Sequence, residues 1–87
     1  AMSADAAAQA RAALATIRRV LAEAGFEMTD IVRARYVVTD RDAATALAPE
    51  LREAFGAAPP AATLVVAKLL DPAMTVEIEV TAHRSSA

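Results

Sequence analysis

The chain has 87 residues, 56% of them hydrophobic and 23% charged, with a net charge of -2. That composition describes one small globular domain rather than a disordered segment. Zero cysteines and a single histidine, His83, exclude a disulfide framework and a zinc cluster, and no cofactor or metal is expected. An acidic balance with 3% aromatic residues argues against nucleic acid as a partner. No apolar run reaches the roughly 20 residues of a membrane span and no signal peptide is visible, so no membrane association and a cytoplasmic location are expected. Alanine supplies 25 positions, and a chain of this size buries only about 60 to 65% of its unfolded surface. Association with further copies is therefore expected.

Residues 1–3 are read as a cloning remnant or N-terminal tail, residues 4–84 as a single domain and 85–87 as a C-terminal tail. From Asp5 to Ala24, Leu14, Ile17 and Leu21 recur at helical spacing, and Gly25 supplies a stop. After a turn at Thr29 and Asp30, residues 31–39 read as a strand. Val32, Ala34, Tyr36 and Val38 are predicted on its apolar face, Ile31, Arg33, Arg35 and Val37 on the other. Asp40 and Asp42 are N-cap candidates for a second helix carrying Leu47, Leu51 and Phe55. Pro49 interrupts that pattern, so the helix is either kinked there or begins around Ala48. The stretch through Pro59 and Pro60 reads as a loop. Residues 63–70 and 74–82 read as strands joined by the turn Asp71-Pro72-Ala73, a predicted hairpin. In the last strand Met74, Val76, Ile78, Val80 and Ala82 alternate with Thr75, Glu77, Glu79, Thr81 and His83. The order α-β-α-β-β predicts an α+β domain with two helices on one face of a short mixed sheet.

Six segments in this order resemble the RidA/YjgF (Rid) family. They are Asp5-Ala6-Ala7-Ala8-Gln9-Ala10-Arg11, Leu21-Ala22-Glu23-Ala24-Gly25, Thr29-Asp30-Ile31-Val32-Arg33, Tyr36-Val37-Val38-Thr39-Asp40, Pro60-Ala61-Ala62-Thr63-Leu64 and Val76-Glu77-Ile78-Glu79-Val80. The resemblance implies a chorismate-mutase-like fold, homotrimers with ligand clefts between subunits, and hydrolysis of enamines or imines to ketoacids and ammonia. It also implies that Glu77 matches the glutamate that positions the attacking water, and that Ala62, Thr63 and Leu64 line the ligand site. Two departures stand out. Family members carry further N-terminal strands, so the chain reads as truncated at that end and a second chain is a candidate to supply them. Ala62 stands where deaminating members have an arginine that grips a carboxylate, and Ala48 where many have an asparagine. The chain thus resembles an arginine-lacking branch, with a non-standard or lost activity expected.

Plainer readings stand beside these. Glu77 can be a solvated strand residue paired with Arg33 or Arg35, and Glu79 fits that description better still. His83 lacks partners at ligand or triad spacing. Lys68 reads as a solubilising residue and Thr63 as the start of a strand. The competing function is a non-catalytic oligomerisation or partner-binding module that receives a strand at an open sheet edge.

Overall fold

The computed structural model describes residues 5–56 and 58–84. The predicted remnant at 1–3 and tail at 85–87 lie outside the described residues. Helix α1 spans Ala6–Glu23. The Asp5 carboxylate accepts the Ala8 N–H at 2.8 Å and caps its start. At the other end the Phe26 N–H reaches the Leu21 carbonyl and the Gly25 N–H that of Ala22. This Schellman closure needs the left-handed backbone of Gly25, at φ 85°.

A single 3-10 turn, Met28–Asp30, leads into strand β1, Ile31–Val38. Helix α2 then runs from Arg41 to Phe55 with Asp40 as N-cap, its carboxylate accepting the Ala43 N–H at 2.8 Å. The helix is continuous through Pro49, so the alternative start near Ala48 is not adopted. The proline ring is solvent-exposed there, and it removes the helical bond to the Thr45 carbonyl.

Strands β2, Ala61–Val66, and β3, Val76–Ala82, complete a mixed three-stranded sheet of order β2-β1-β3. The two helices pack on one face of it, in the predicted α-β-α-β-β order. The predicted hairpin is not formed. β2 lies parallel to β1 and β3 antiparallel to it, one on each side. The turn at Asp71 does form, with the Met74 N–H on the Asp71 carbonyl and the Ala73 N–H on its carboxylate. The segment 67–75 that holds it crosses the end of β1. There the Val38 carbonyl accepts Ala67 N–H and the Thr39 N–H reaches the Thr75 carbonyl. A helical crossover between β1 and β2 makes their parallel pairing natural. β2 also starts two residues earlier than predicted and ends four earlier.

Register assigns the faces. Ala34, Tyr36 and Val38 stand beside Ala62, Leu64 and Val66 on one side and Val80, Ile78 and Val76 on the other. Buried Ala34, Tyr36, Val38 and Val76 cluster with Ala6, Ala10, Ala43 and Leu47 of the helices, so this is the covered face. Leu14, Leu21, Ile31 and Phe55 form a second cluster. Ile31 reaches the core, and Val32 does not, because the pairing with β3 shifts between Ile31 and Arg33. The extra residue of that bulge reverses the alternation. The assignment of Val32 to the apolar face is corrected accordingly, since it is 50% exposed against 4% for Ile31.

Candidate functional site

The open face carries Arg33, Arg35 and Val37 on β1, Ala61, Thr63 and Val65 on β2, and Glu77, Glu79 and Thr81 on β3. Arg35 bonds the directly opposite Glu79 at 2.9 Å, as the plainer reading of Glu79 anticipates. Glu77 is different. It stands opposite Val37, so the cross-strand arginine expected for it is one pair further along. Its exposed carboxylate makes no hydrogen bond or ion pair among the described residues. A free carboxylate on an open sheet face can take a proton from a water or a ligand brought against it.

The predicted ligand-binding residues divide between the faces. Thr63 lies beside Arg35 on the open face, whereas Ala62 and Leu64 lie beside Ala34 and Tyr36 on the helix side. β1 separates β2 from β3, so Ala62 and Glu77 occupy opposite faces of strands about 10 Å apart. One chain does not bring them together. β2 lies largely beyond the helices, leaving Leu64 46% and Val66 55% exposed. As an edge strand it also turns alternate peptide N–H and C=O groups away from β1.

Ala62 instead belongs to a cleft of about 310 Å³ between the end of α2 and β2. Leu51, Phe55, Pro59 and Pro60 wall it, Tyr36 closes it, and Arg52 stands at its side. Tyr36 is 5% exposed, and burial raises its phenol above the ordinary value. Its hydroxyl bonds to no other described residue. Sequence reasoning passed over this residue, although a lone tyrosine on an apolar strand face signals a hydroxyl in need of a partner.

The remaining polar groups are structural. Gln9 of α1 donates to the Ala73 carbonyl at 3.0 Å and accepts from the Thr75 N–H at 2.8 Å, fixing the approach to β3. Arg84 bonds Asp30 at 2.6 Å and lies 5.8 Å from the Phe26 ring centre. Asp30 also accepts the Glu27 N–H, and that bond first, then Arg84, holds its carboxyl below the usual range. His83 is exposed, and its backbone N–H meets the Asp30 carbonyl. Among the described residues no group of three His, Asp or Glu side chains gathers to hold a metal ion, and no helix is long and apolar enough to cross a membrane.

Comparison with known proteins places this geometry. Residues 1–84 match the family model described as Endoribonuclease L-PSP. A Mycobacterium tuberculosis member of the YjgF/YER057c/UK114 family superposes with a TM-score of 0.88 at 37% identity, over 92% of this chain and 69% of that one. A YjgF-family protein from Neisseria meningitidis gives 0.82 at 31%, over 94% and 70%. A Pseudomonas aeruginosa protein of unknown function gives 0.84 at 31%, over 90% and 57%. The chain therefore spans between 55% and 72% of the length of such structures. No curated protein matches it. The family model covers nearly every residue and relatives above 30% identity share the fold, and on both grounds this chain belongs to the YjgF (Rid) family, the family of the Endoribonuclease L-PSP model.

Proposed function

We propose that the protein works as a homo-oligomer, a trimer, that holds a small molecule in clefts between subunits. Its chemistry in this reading is hydrolysis of an enamine or imine with an atypical substrate. The supporting observation is the split of Glu77 and Ala62 between opposite faces of the sheet. A cleft that uses both draws them from two copies. The open face of one copy then supplies Glu77, and the β2 side of another supplies Ala62, Leu64 and outward backbone N–H groups. Glu77 takes a proton from water as the water oxygen adds to the C=N carbon, and passes that proton to the nitrogen. The carbinolamine then expels ammonia and leaves a carbonyl group. Removal of such a base costs roughly a hundredfold or more in rate.

The word endoribonuclease in the family description has little behind it here. Glu77 and Glu79 offset Arg33 and Arg35 on the open face, and the aromatic rings of Tyr36 and Phe55 are buried rather than presented for base stacking. A second reading, a non-catalytic module that receives a partner's strand, draws support from the exposed edge of β2 and from Leu70, which is fully exposed in the segment after it.

Light scattering at micromolar concentration, with ammonia release measured from imines generated in situ, tests the proposal. A trimer whose activity falls at least a hundredfold in Glu77→Gln is expected. A stable 9.0 kDa monomer, or release that ignores the substitution, overturns it. An inactive trimer leaves the partner-binding module.

A further inference from the structure

The cleft beside Ala62 has a chemistry of its own. Its walls are the side chains of Leu51, Phe55, Pro59, Pro60 and Ala62, with no carboxylate among them. Two features set the charge of a suitable occupant. The carbonyl end of α2 lies at the cleft, since the helix closes at Phe55. Helix C-termini carry partial negative charge, which opposes an anion. Arg52 is the one charged residue along the cleft, but it is solvent-exposed and sits in the last helical turn, where its charge answers that same dipole. A second observation sets the polarity. The Tyr36 hydroxyl lines the cleft on a side chain that is 95% buried, and it has no hydrogen-bond partner among the described residues. The oxygen reaches solvent at the cleft rather than being sealed in, so it is free to donate to an acceptor that displaces water there.

A charged cleft elsewhere differs. The one between α1 and α2 is lined by Arg11 and Arg18 with Glu50 and Glu53, and Arg11 is already bonded to Glu50 at 3.1 Å. Its charges are balanced and no buried donor waits there.

We infer that the cleft between α2 and β2 binds a neutral, largely apolar small molecule whose single carbonyl-type acceptor takes a hydrogen bond from the Tyr36 hydroxyl. This rests on the reading above that Ala62 lines the ligand site, and it names the substrate class of that site: a ketone-like product or its neutral imine, without a carboxylate. The alanine at position 62 is then part of the specificity, because a guanidinium there would project into the apolar cleft. The raised phenol supports the assignment, since Tyr36 stays a donor through neutral pH.

Cyclohexanone and cyclohexanecarboxylate are suitable probes, similar in shape and different in charge. Tyr36 is the only tyrosine, so its ring resonances report on the cleft without ambiguity, alongside the Gly56 and Ala62 amides. Cyclohexanone is expected to shift these signals at millimolar concentration, and cyclohexanecarboxylate to bind at least tenfold more weakly. Tyr36→Phe should weaken the ketone about three- to tenfold, the range of one net hydrogen bond, while folding normally because the hydroxyl has no protein partner to lose. Arg52→Ala should change ketone affinity by less than twofold. Ala62→Arg, on an exposed edge strand, should abolish ketone binding.

Equal or tighter carboxylate binding that depends on Arg52 overturns the inference. So does ketone binding that Tyr36→Phe leaves intact, or shifts that fall away from the cleft. The experiment reads the part of the cleft that one chain supplies, so its outcome is separable from the catalytic proposal. Ketone binding by a chain that releases no ammonia keeps this inference and removes the hydrolytic reading. Hydrolysis of amino-acid imines without ketone binding does the reverse.

Discussion

Gln9 offers the sharpest test of how this small domain holds its candidate base in place. Its side chain makes three hydrogen bonds to the segment before β3: Nε2 to the Ala73 carbonyl at 3.0 Å, and Oε1 from the Thr75 N–H at 2.8 Å and the Thr75 hydroxyl at 3.1 Å. Thr75 is also held from the sheet, its carbonyl accepting the Thr39 N–H. Gln9→Ala leaves two backbone groups in a half-buried place where water replaces their partner only in part. At about 0.5 to 1.5 kcal/mol for each bond, less a few tenths returned by the better helix propensity of alanine, the expected loss is about 1 to 4 kcal/mol. With a urea dependence of about 1 to 1.5 kcal/mol per molar for a domain this small, the unfolding midpoint should fall by about 0.7 to 4 M at fixed protein concentration. Gln9→Glu keeps the acceptor for Thr75 but loses the donor to Ala73, and should cost less than the alanine. The Thr75 amide should exchange faster in Gln9→Ala while the Ala34 and Tyr36 amides change only by the global term. A midpoint within 0.3 M of wild type, or a glutamate variant as weak as the alanine one, would refute the reasoning.

Two other expectations follow from single positions. Pro49 lies exposed inside α2, and since proline costs about 3 kcal/mol against alanine in a helix interior, Pro49→Ala should stabilise by about 1 to 3 kcal/mol. One kcal/mol moves the melting temperature of such a domain by about 4 to 8 °C, so calorimetry at matched concentration decides; an unchanged or lower value counts against it. Asp30 titrates below its ordinary value because the Glu27 N–H, first, and Arg84, second, favour its charged form. Its contribution is thus present above about pH 4, the unfolded carboxyl range, and is lost as the pH falls through the folded value. In Arg84→Ala the Asp30 carboxyl resonance should titrate at a higher pH yet stay below the ordinary value. A return to the full ordinary value shows that the backbone bond is not the larger cause.

The helices were legible because their ends are written in single residues. Asp5 and Asp40 cap the starts, and Gly25 closes α1. The core along the first half of α1 was not, since buried Ala6 and Ala10 look in sequence like any of the other alanines. The sheet order does not follow sequence proximity: two apolar runs around an Asp-Pro turn suggest a hairpin, but β1 is the strand that needs neighbours on both sides. Its buried run Tyr36, Val37, Val38 was the available signal, as continuous burial marks a central strand. The bulge at Val32 had no such signal. Neither did the cleft, which forms only when parallel pairing sets Ala62 beside Ala34 and one place from Tyr36, 26 positions away in sequence.

The alternation of faces explains why the site resists a single-chain description. On all three strands even-numbered residues turn toward the helices and odd-numbered ones away, Ile31 and Val32 excepted by the bulge. Position 62 therefore always addresses the α2 cleft, and position 77 the open face, whatever side chains stand there. A substitution at 62 changes what the cleft accepts without touching the geometry of Glu77. In the proposed oligomer, ligand choice and proton handling would thus fall on separate surfaces of the subunit, joined on assembly. Under the proposed function, Ala62 is therefore compatible with a working Glu77, and the ketone-binding and ammonia-release measurements above separate a changed substrate class from lost chemistry.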